Sequence, residues 1–282
     1  MKKIVLVLFV LAAFAANSVL CRIALKQGYA DPETFSLLRL IGGAAALSLW
    51  HGVLGRVKEI RWNITDALLL CAYVLFFSIA YVRLNTATGA LLLFGAVQVC
   101  MIGWSLLKGE KLSRFKSVGI VIAVGGLIML LLPGATAPPL IPALTMVVSG
   151  MAWGAYSVRG KNITSAAGST AGNFILSVPI VLILSLFRQQ PAHIESHGVF
   201  LALLSGALAS GIAYVLWYQL VARLSSVTAS TLQLSVPCLA ALGGVLFLGE
   251  VPDGRLLLCT LIVLAGIAMV IASDQKTRSS VD

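Results

Sequence analysis

Apolar residues run along this chain in ten stretches of about 18 to 24 positions, set apart by short intervals rich in charge, glycine, proline and serine. They fall at 4–25, 34–54, 64–82, 86–107, 115–132, 139–158, 168–187, 198–221, 227–248 and 255–273. A bilayer core about 30 Å thick takes roughly 20 apolar residues as helix. With no water in that core, each spanning segment must satisfy its own backbone, which a helix does internally. The pattern therefore predicts an all-α integral membrane protein of ten transmembrane helices, with edges good to about three residues. Ten such helices use roughly 200 positions of the 282, so no soluble domain fits.

Composition agrees with this reading. The chain is 59% hydrophobic and 11% charged, with a mean hydropathy of +1.00, against roughly a quarter charged in soluble proteins. Cys21, Cys71, Cys100, Cys238 and Cys259 all lie in apolar stretches without CxxC or histidine-linked spacing, which predicts neither disulfide, metal nor cofactor.

The net charge of +10 would suggest nucleic acid in a soluble protein, but membrane topology accounts for it here. With the N-terminus cytoplasmic, Lys2, Lys3, Arg56, Lys58, Arg61, Lys108, Lys111, Arg114, Lys116, Arg159, Lys161, Arg223, Lys276 and Arg278 lie inside. Arg22, Lys26, Arg39, Arg83, Arg188 and Arg255 lie outside. This positive-inside bias predicts both termini in the cytoplasm of a bacterial cell with the chain in the inner membrane. The partners expected are lipid and a small-molecule substrate, with no nucleic acid. The start MKKIVLVLFVLAAFAANSV also has the form of a cleavable signal peptide. Against that, its apolar run continues to Leu25, and its removal would break the duplication described next.

An offset of 140 brings Thr88 onto Thr228, Gly103 onto Gly243, Gly109-Glu110 onto Gly249-Glu250, Gly126 onto Gly266 and Met129 onto Met269. With one gap, AYVLFFSIAYVRL (72–84) also aligns with AYVLWYQLVARL (213–224). Two halves are predicted, 1–134 and 135–282. Each holds five spans, an odd number, so the second enters the membrane opposite to the first. Inverted repeats of this kind are typical of transporters, whose substrate sites lie at the repeat interface near the midplane.

AANSVLCRIALK (15–26), TFSLLRL (34–40), LLKGEKL (106–112), GMAWGAYSVRGK (150–161) and the long passage at 214–250 together resemble the drug/metabolite transporter superfamily, in its ten-helix EamA-like family. The resemblance implies two inverted five-helix bundles around a central cavity. It also implies a role in exporting amino acids, nucleobase-type metabolites or drugs. Two departures bear on the substrate. The fourth stretch reads FGAVQVC (94–100) where the family often has a mid-helix proline, although Pro237 is kept in the ninth. Ala15-Ala16 stand where a Trp-Gly is usual.

Polar groups deep in a membrane are costly and tend to be functional. Asn17 and Gln98 in the first half, with Gln219 and Gln233 in the second, are candidates for substrate binding or for helix-to-helix hydrogen bonds. Trp153, Tyr156, Tyr214, Trp217 and Tyr218 would line a cavity with aromatic faces, or simply pack. Arg39 enters the second stretch by about five residues. It would snorkel to the outer surface, the preferred reading, or turn inward to attract an anionic or zwitterionic substrate. Glu110 and Glu250 follow their helices at matched positions and read as helix-end contacts. Gly150 and Gly154, Gly125-Gly126 and Gly243-Gly244 suit close helix packing, and Pro179 and Pro237 suit kinks.

The ten acidic residues and His51, His193 and His197 all fall at span ends, loops or tails. Proton-coupled carriers place such groups deep in the membrane, so facilitative transport is expected. An enzyme is disfavoured: no HExxH and no serine–histidine pair falls in the spans, and Ser210-Gly211 reads as small-residue packing. A broad drug effluxer and a non-transporting sensor or scaffold are the alternatives.

Overall fold

In the computed structural model the described residues are 2–109, 113–132, 137–187, 191–233 and 235–279. The polar intervals between apolar stretches become helix starts. Asp31 accepts from Thr34 N (2.8 Å) and opens α2 (Pro32–Val53), after α1 (Lys2–Lys26). Asn63 accepts from Asp66 N (3.1 Å) to open α3 (Ile64–Tyr81). Ser113 caps α5 (Arg114–Leu131), which follows α4 (Thr86–Leu107). After α6 (Leu140–Arg159), Ser165 caps α7 (Ala166–Ser185). Each cap satisfies an amide that the first turn leaves open.

The eighth stretch forms α8 (Ser196–Gly206), a π-helical turn (Ala207–Ile212) and α9 (Ala213–Val221) without interruption. The ninth differs from expectation. It divides into α10 (Ser226–Gln233) and α11 (Val236–Leu248), with Pro237 in the first turn of α11. Proline has no amide hydrogen to donate and its ring presses on the preceding turn, so it weakens a helix that runs through it and is at home in the first turn of a new one. Gly249 ends α11 at φ 61°, and Gly109 follows α4 at φ 82°. The offset of 140 pairs these two positions, and both are in the left-handed conformation that glycine adopts without strain. The last helix is α12 (Gly254–Ser279). Pro179 lies inside α7.

Among the described residues seven helical segments are long and apolar enough to cross a membrane: Ile4–Lys26, Pro32–Val53, Ile64–Tyr81, Thr86–Leu107, Leu140–Arg159, Ala166–Ser185 and Ser196–Val221. Val236–Leu248 and Gly254–Val270 are shorter apolar helices. Large apolar side chains such as Leu107, Val121, Phe187 and Phe247 face outward, as lipid contact requires. The chain is thus an all-helical multi-pass membrane protein. A set of aromatic side chains turns inward instead: Tyr73, Tyr81, Trp153, Tyr156, Tyr214, Trp217 and Tyr218 are all buried.

Candidate substrate site

Arg39 sets the chemistry of the interior. It lies in the second turn of α2, and its side chain is fully buried, so it turns inward instead of snorkelling. The reason is local. Gly206 of α8 crosses α2 at Arg39, where a Cβ on Gly206 would collide with the Arg39 carbonyl. Three hydroxyls wait beyond that crossing. Nε donates to Ser210 Oγ (3.0 Å), and Nη2 donates to the phenol oxygens of Tyr73 (3.0 Å) and Tyr214 (2.7 Å). The guanidinium also lies over the rings of Tyr73 and Phe77, 5.1 and 5.0 Å from their centroids, a cation–π arrangement. Nη1 is buried and has no hydrogen-bond partner among the described residues. None of the described ion pairs involves Arg39.

Asn17 of α1 joins the same group. Its Nδ2 donates to the Tyr73 phenol (3.1 Å), and its Oδ1 accepts from Ser205 Oγ of α8. On the other side stands an aromatic wall. The Trp153 ring of α6 is centred 4.5 Å from Tyr214 and 5.0 Å from Tyr73, and meets Phe14 edge-on at 5.5 Å. Trp153 Nε1 donates to Gln233 Oε1 at 2.8 Å, which ties the end of α10 to the wall. Tyr156 stacks on Trp153 at 5.6 Å and lies 5.2 Å from Tyr218. Its hydroxyl accepts from Asn173 Nδ2 (3.2 Å), and the Tyr218 hydroxyl donates to its carbonyl (3.2 Å). Trp217 donates from Nε1 to Ser157 Oγ (3.2 Å) and packs on Phe14.

Asn17, Arg39, Trp153, Tyr156, Tyr214, Trp217, Tyr218 and Gln233 therefore form one connected buried group. Gln98 stands apart. It lines a narrow crevice with Ile120, Val124 and Leu127 of α5 and Val263 of α12, and neither polar atom of its amide has a partner among the described residues. Gln219 is exposed, on the face of α9 opposite Trp217 and Tyr218. Sequence reasoning passed over Tyr73, the phenol that receives both Asn17 and Arg39, because it lies in an aromatic run that looks like ordinary packing. It also read Ser210 as a small packing residue. Ser210, which accepts from Arg39, lies within the π turn, where the helix is widened by one residue.

Ion pairs close both ends of the bundle. At one end Arg22 Nε donates to Glu250 Oε1 (3.1 Å), Glu250 Oε2 accepts from Thr86 N (2.8 Å), and Arg22 Nη1 donates to Tyr81 O (2.8 Å). The helix-end reading of Glu250 thus becomes a bridge from α11 to α1 and α4. Glu110, its counterpart in the first half, lies outside the described residues. At the other end of α3, Arg159 pairs with Asp66, and Tyr73 lies midway between. A separate apolar groove of 390 Å³ runs between α1 and α11 on the lipid face, lined by Ala12, Ala16, Leu242 and Phe247 among others.

Residues 140–272 match the EamA-like transporter family. The chain belongs to that family. Its similarity to an uncharacterised protein of Pseudomonas aeruginosa is 44% identity over 272 residues, covering 96% of this chain and 95% of that one. It is 24% identical to an uncharacterised transporter of Archaeoglobus fulgidus, over 93% of this chain and 95% of the other. It is also 24% identical to a probable terminal-alkyne amino-acid exporter of Streptantibioticus cattleyicolor, over 83% and 82%. A protein of known crystal structure shares the fold with a TM-score of 0.68 at 19% identity, over 92% of this chain and 96% of that one. Membrane transport, not catalysis, is what this EamA-like protein shares with its named relatives.

Proposed function

We propose that this EamA-like chain exports small metabolites, amino-acid-like or nucleobase-like, by facilitative alternating access around the buried Arg39–Tyr73–Tyr214–Trp153 group. Its two halves, 1–134 and 135–282, act as inverted five-helix repeats, with α8 through α9 as one span and α10 with α11 as one broken span. Both termini lie in the cytoplasm and the chain sits in a bacterial inner membrane.

The observation that carries this reading is the crossing of α5 and α12. A Cβ on Gly119 would strike the Gly266 carbonyl, and one on Gly126 would press on the Cys259 carbonyl. The offset of 140 exchanges Gly119 with Cys259 and Gly126 with Gly266, so each close approach is the other's symmetry mate. An antiparallel crossing that maps onto itself in this way is what an in-plane pseudo-two-fold requires. The discontinuity between α10 and α11, beside Gln233, further supports a site at the repeat interface, where transporters commonly use broken helices.

Ion pairs at both ends, with a buried polar group between them, suit a carrier caught closed to both sides. The relative from Streptantibioticus cattleyicolor supports export as the direction. A broad effluxer of cationic drugs is less well served, because a buried guanidinium repels cations. The test is flux in proteoliposomes screened with amino acids, nucleobases, aromatic acids and cationic dyes. Saturable movement lost in Tyr214→Ala supports the carrier. A folded, oriented protein that moves none of them favours the sensor or scaffold reading.

A further inference from the structure

Arg39 places a positive charge in the interior, and none of the described acids pairs with it. Asp66 and Glu250 are engaged by Arg159 and Arg22 at the two ends of the bundle, Asp31 and Glu33 lie at the start of α2, where Asp31 caps the helix, and none of the described acids is ion-paired or hydrogen-bonded to Arg39. Around Arg39 stand only neutral groups: the phenols of Tyr73 and Tyr214, Ser210, the Asn17 amide and aromatic rings. A charge taken out of water without a counter-ion is among the most unfavourable arrangements in a membrane protein. Phenols and a serine solvate it but do not neutralise it. The guanidinium also keeps one unused nitrogen, since Nη1 is buried and unpartnered among the described residues.

From this we infer that the transported molecule supplies the missing charge: the substrate is a monoanionic carboxylate with an aromatic or bulky apolar body, docked through its carboxylate on Arg39. This rests on the carrier reading above and departs from it in the substrate, a carboxylate without an α-amino group in place of an amino acid or nucleobase. Nη1 and Nη2 lie on one edge of the guanidinium and match the two oxygens of a carboxylate, a bidentate pairing that arginine makes well. The Tyr73 and Tyr214 hydroxyls, which now accept from Nη2, would turn to donate to the incoming oxygens. Trp153, with Phe14 behind it, lies directly beside those phenols and offers a flat apolar surface to the rest of the molecule.

Charge counting sets the order of preference. A monoanion brings the site to zero, a zwitterion leaves it at +1, and an amine raises it to +2. No described carboxylate lies in the group to receive an ammonium, so an α-amino group is a handicap here. A doubly charged phosphate would overshoot to −1 with no second cation within the group.

The test is competition binding to the purified full-length protein with three probes of one shape: 3-phenylpropionate, phenylalanine and phenethylamine. The expected result is at least tenfold tighter binding of phenylpropionate than of phenylalanine, and no competition from phenethylamine. Arg39→Met should remove phenylpropionate binding, and Arg39→Lys should retain part of it. Equal or tighter binding of phenylalanine or phenethylamine by the unmodified protein overturns the inference, whether or not the Arg39 variants fold. A preserved phenylpropionate affinity in folded Arg39→Met overturns it as well. Countertransport in proteoliposomes separates this result from the wider reading. If another compound of the screen exchanges across the membrane while phenylpropionate neither binds nor exchanges, the carrier stands and the carboxylate site falls. If phenylpropionate binds through Arg39 but nothing exchanges, the site stands and the carrier falls.

Discussion

Neutralising Glu250 should open the bundle at the Arg22 end. In the closed arrangement both side chains are nearly buried, 8% and 10% exposed, and Glu250 also holds the first amide of α4 at 2.8 Å. Removing one partner of a buried ion pair costs about 3–5 kcal/mol. Glu250→Gln keeps an acceptor for only one of Thr86 N and Arg22 and turns an NH2 toward the other, so about 2 kcal/mol is a conservative value for the closed form alone, because in an open form both groups are hydrated. That shifts the balance toward opening by roughly 30-fold. Cys21 offers a native reporter. It adjoins Arg22, is fully buried, and faces Ser78 with a weak contact at 3.8 Å. In a background with the other four cysteines replaced, a membrane-impermeant maleimide should label Cys21 slowly, at a rate that follows the open population. Glu250→Gln should raise that rate by one to two orders of magnitude from the face that the charge pattern assigns to the outside. Asp66→Asn, at the far end, should not raise it. An unchanged labelling rate in folded Glu250→Gln protein would refute the idea that this pair holds the bundle shut.

Other outcomes follow from the same geometry. Asp66→Asn should expose Cys71, buried beside Ser177, to maleimide from the opposite face. Ser210→Ala leaves Arg39 Nε without a partner, at about 1–3 kcal/mol, and should weaken substrate binding by tenfold or more in a direct binding assay. Gln98→Leu removes an amide with no partner from an apolar crevice. It should leave flux intact and raise thermal stability by about 1 kcal/mol, and a loss of flux would return Gln98 to the site. Gly206→Val should drive α8 off α2 at Arg39 and cost about 2–4 kcal/mol, seen as a lower melting temperature with loss of binding. If the substrate is a monoanion, its outward passage carries negative charge from a negative interior. An inside-negative potential of about 100 mV would then favour export by roughly 50-fold, and recordings on a solid-supported membrane should show a current with phenylpropionate and none with phenylalanine.

The apolar helices were legible because hydrocarbon allows few solutions. Eight of the ten apolar stretches became helices within three residues of their expected ends, the last runs six residues past its expected end as α12, and the ninth is divided beside Pro237, whose position already announced a break. Glycines that the offset of 140 pairs in the sequence, such as Gly126 and Gly266, recur at the α5–α12 crossing. What sequence could not supply was direction. Helical spacing does not say which way Arg39 points, and snorkelling is the cheaper course for an arginine so near a helix end. Burial came instead from partners distant in the chain, Tyr73, Ser210 and Tyr214, and from the approach of Gly206. For the same reason Gln98 and Gln219 looked equal to Asn17 and Gln233, although one turns to the α5–α12 crevice and the other to the surface. Ser210 was illegible because a π turn leaves no local signal in small residues such as GALASG.

Carriage of a molecule across the membrane through the site centred on Arg39 is open to countertransport in proteoliposomes, with liposomes preloaded with unlabelled compound from the screen and labelled compound added outside. A carrier working through that site gives saturable exchange by the unmodified protein, lost in Arg39→Met and in Tyr214→Ala and kept in Gln98→Leu. Exchange that persists in both Arg39→Met and Tyr214→Ala, or no exchange by folded, oriented protein, would contradict it.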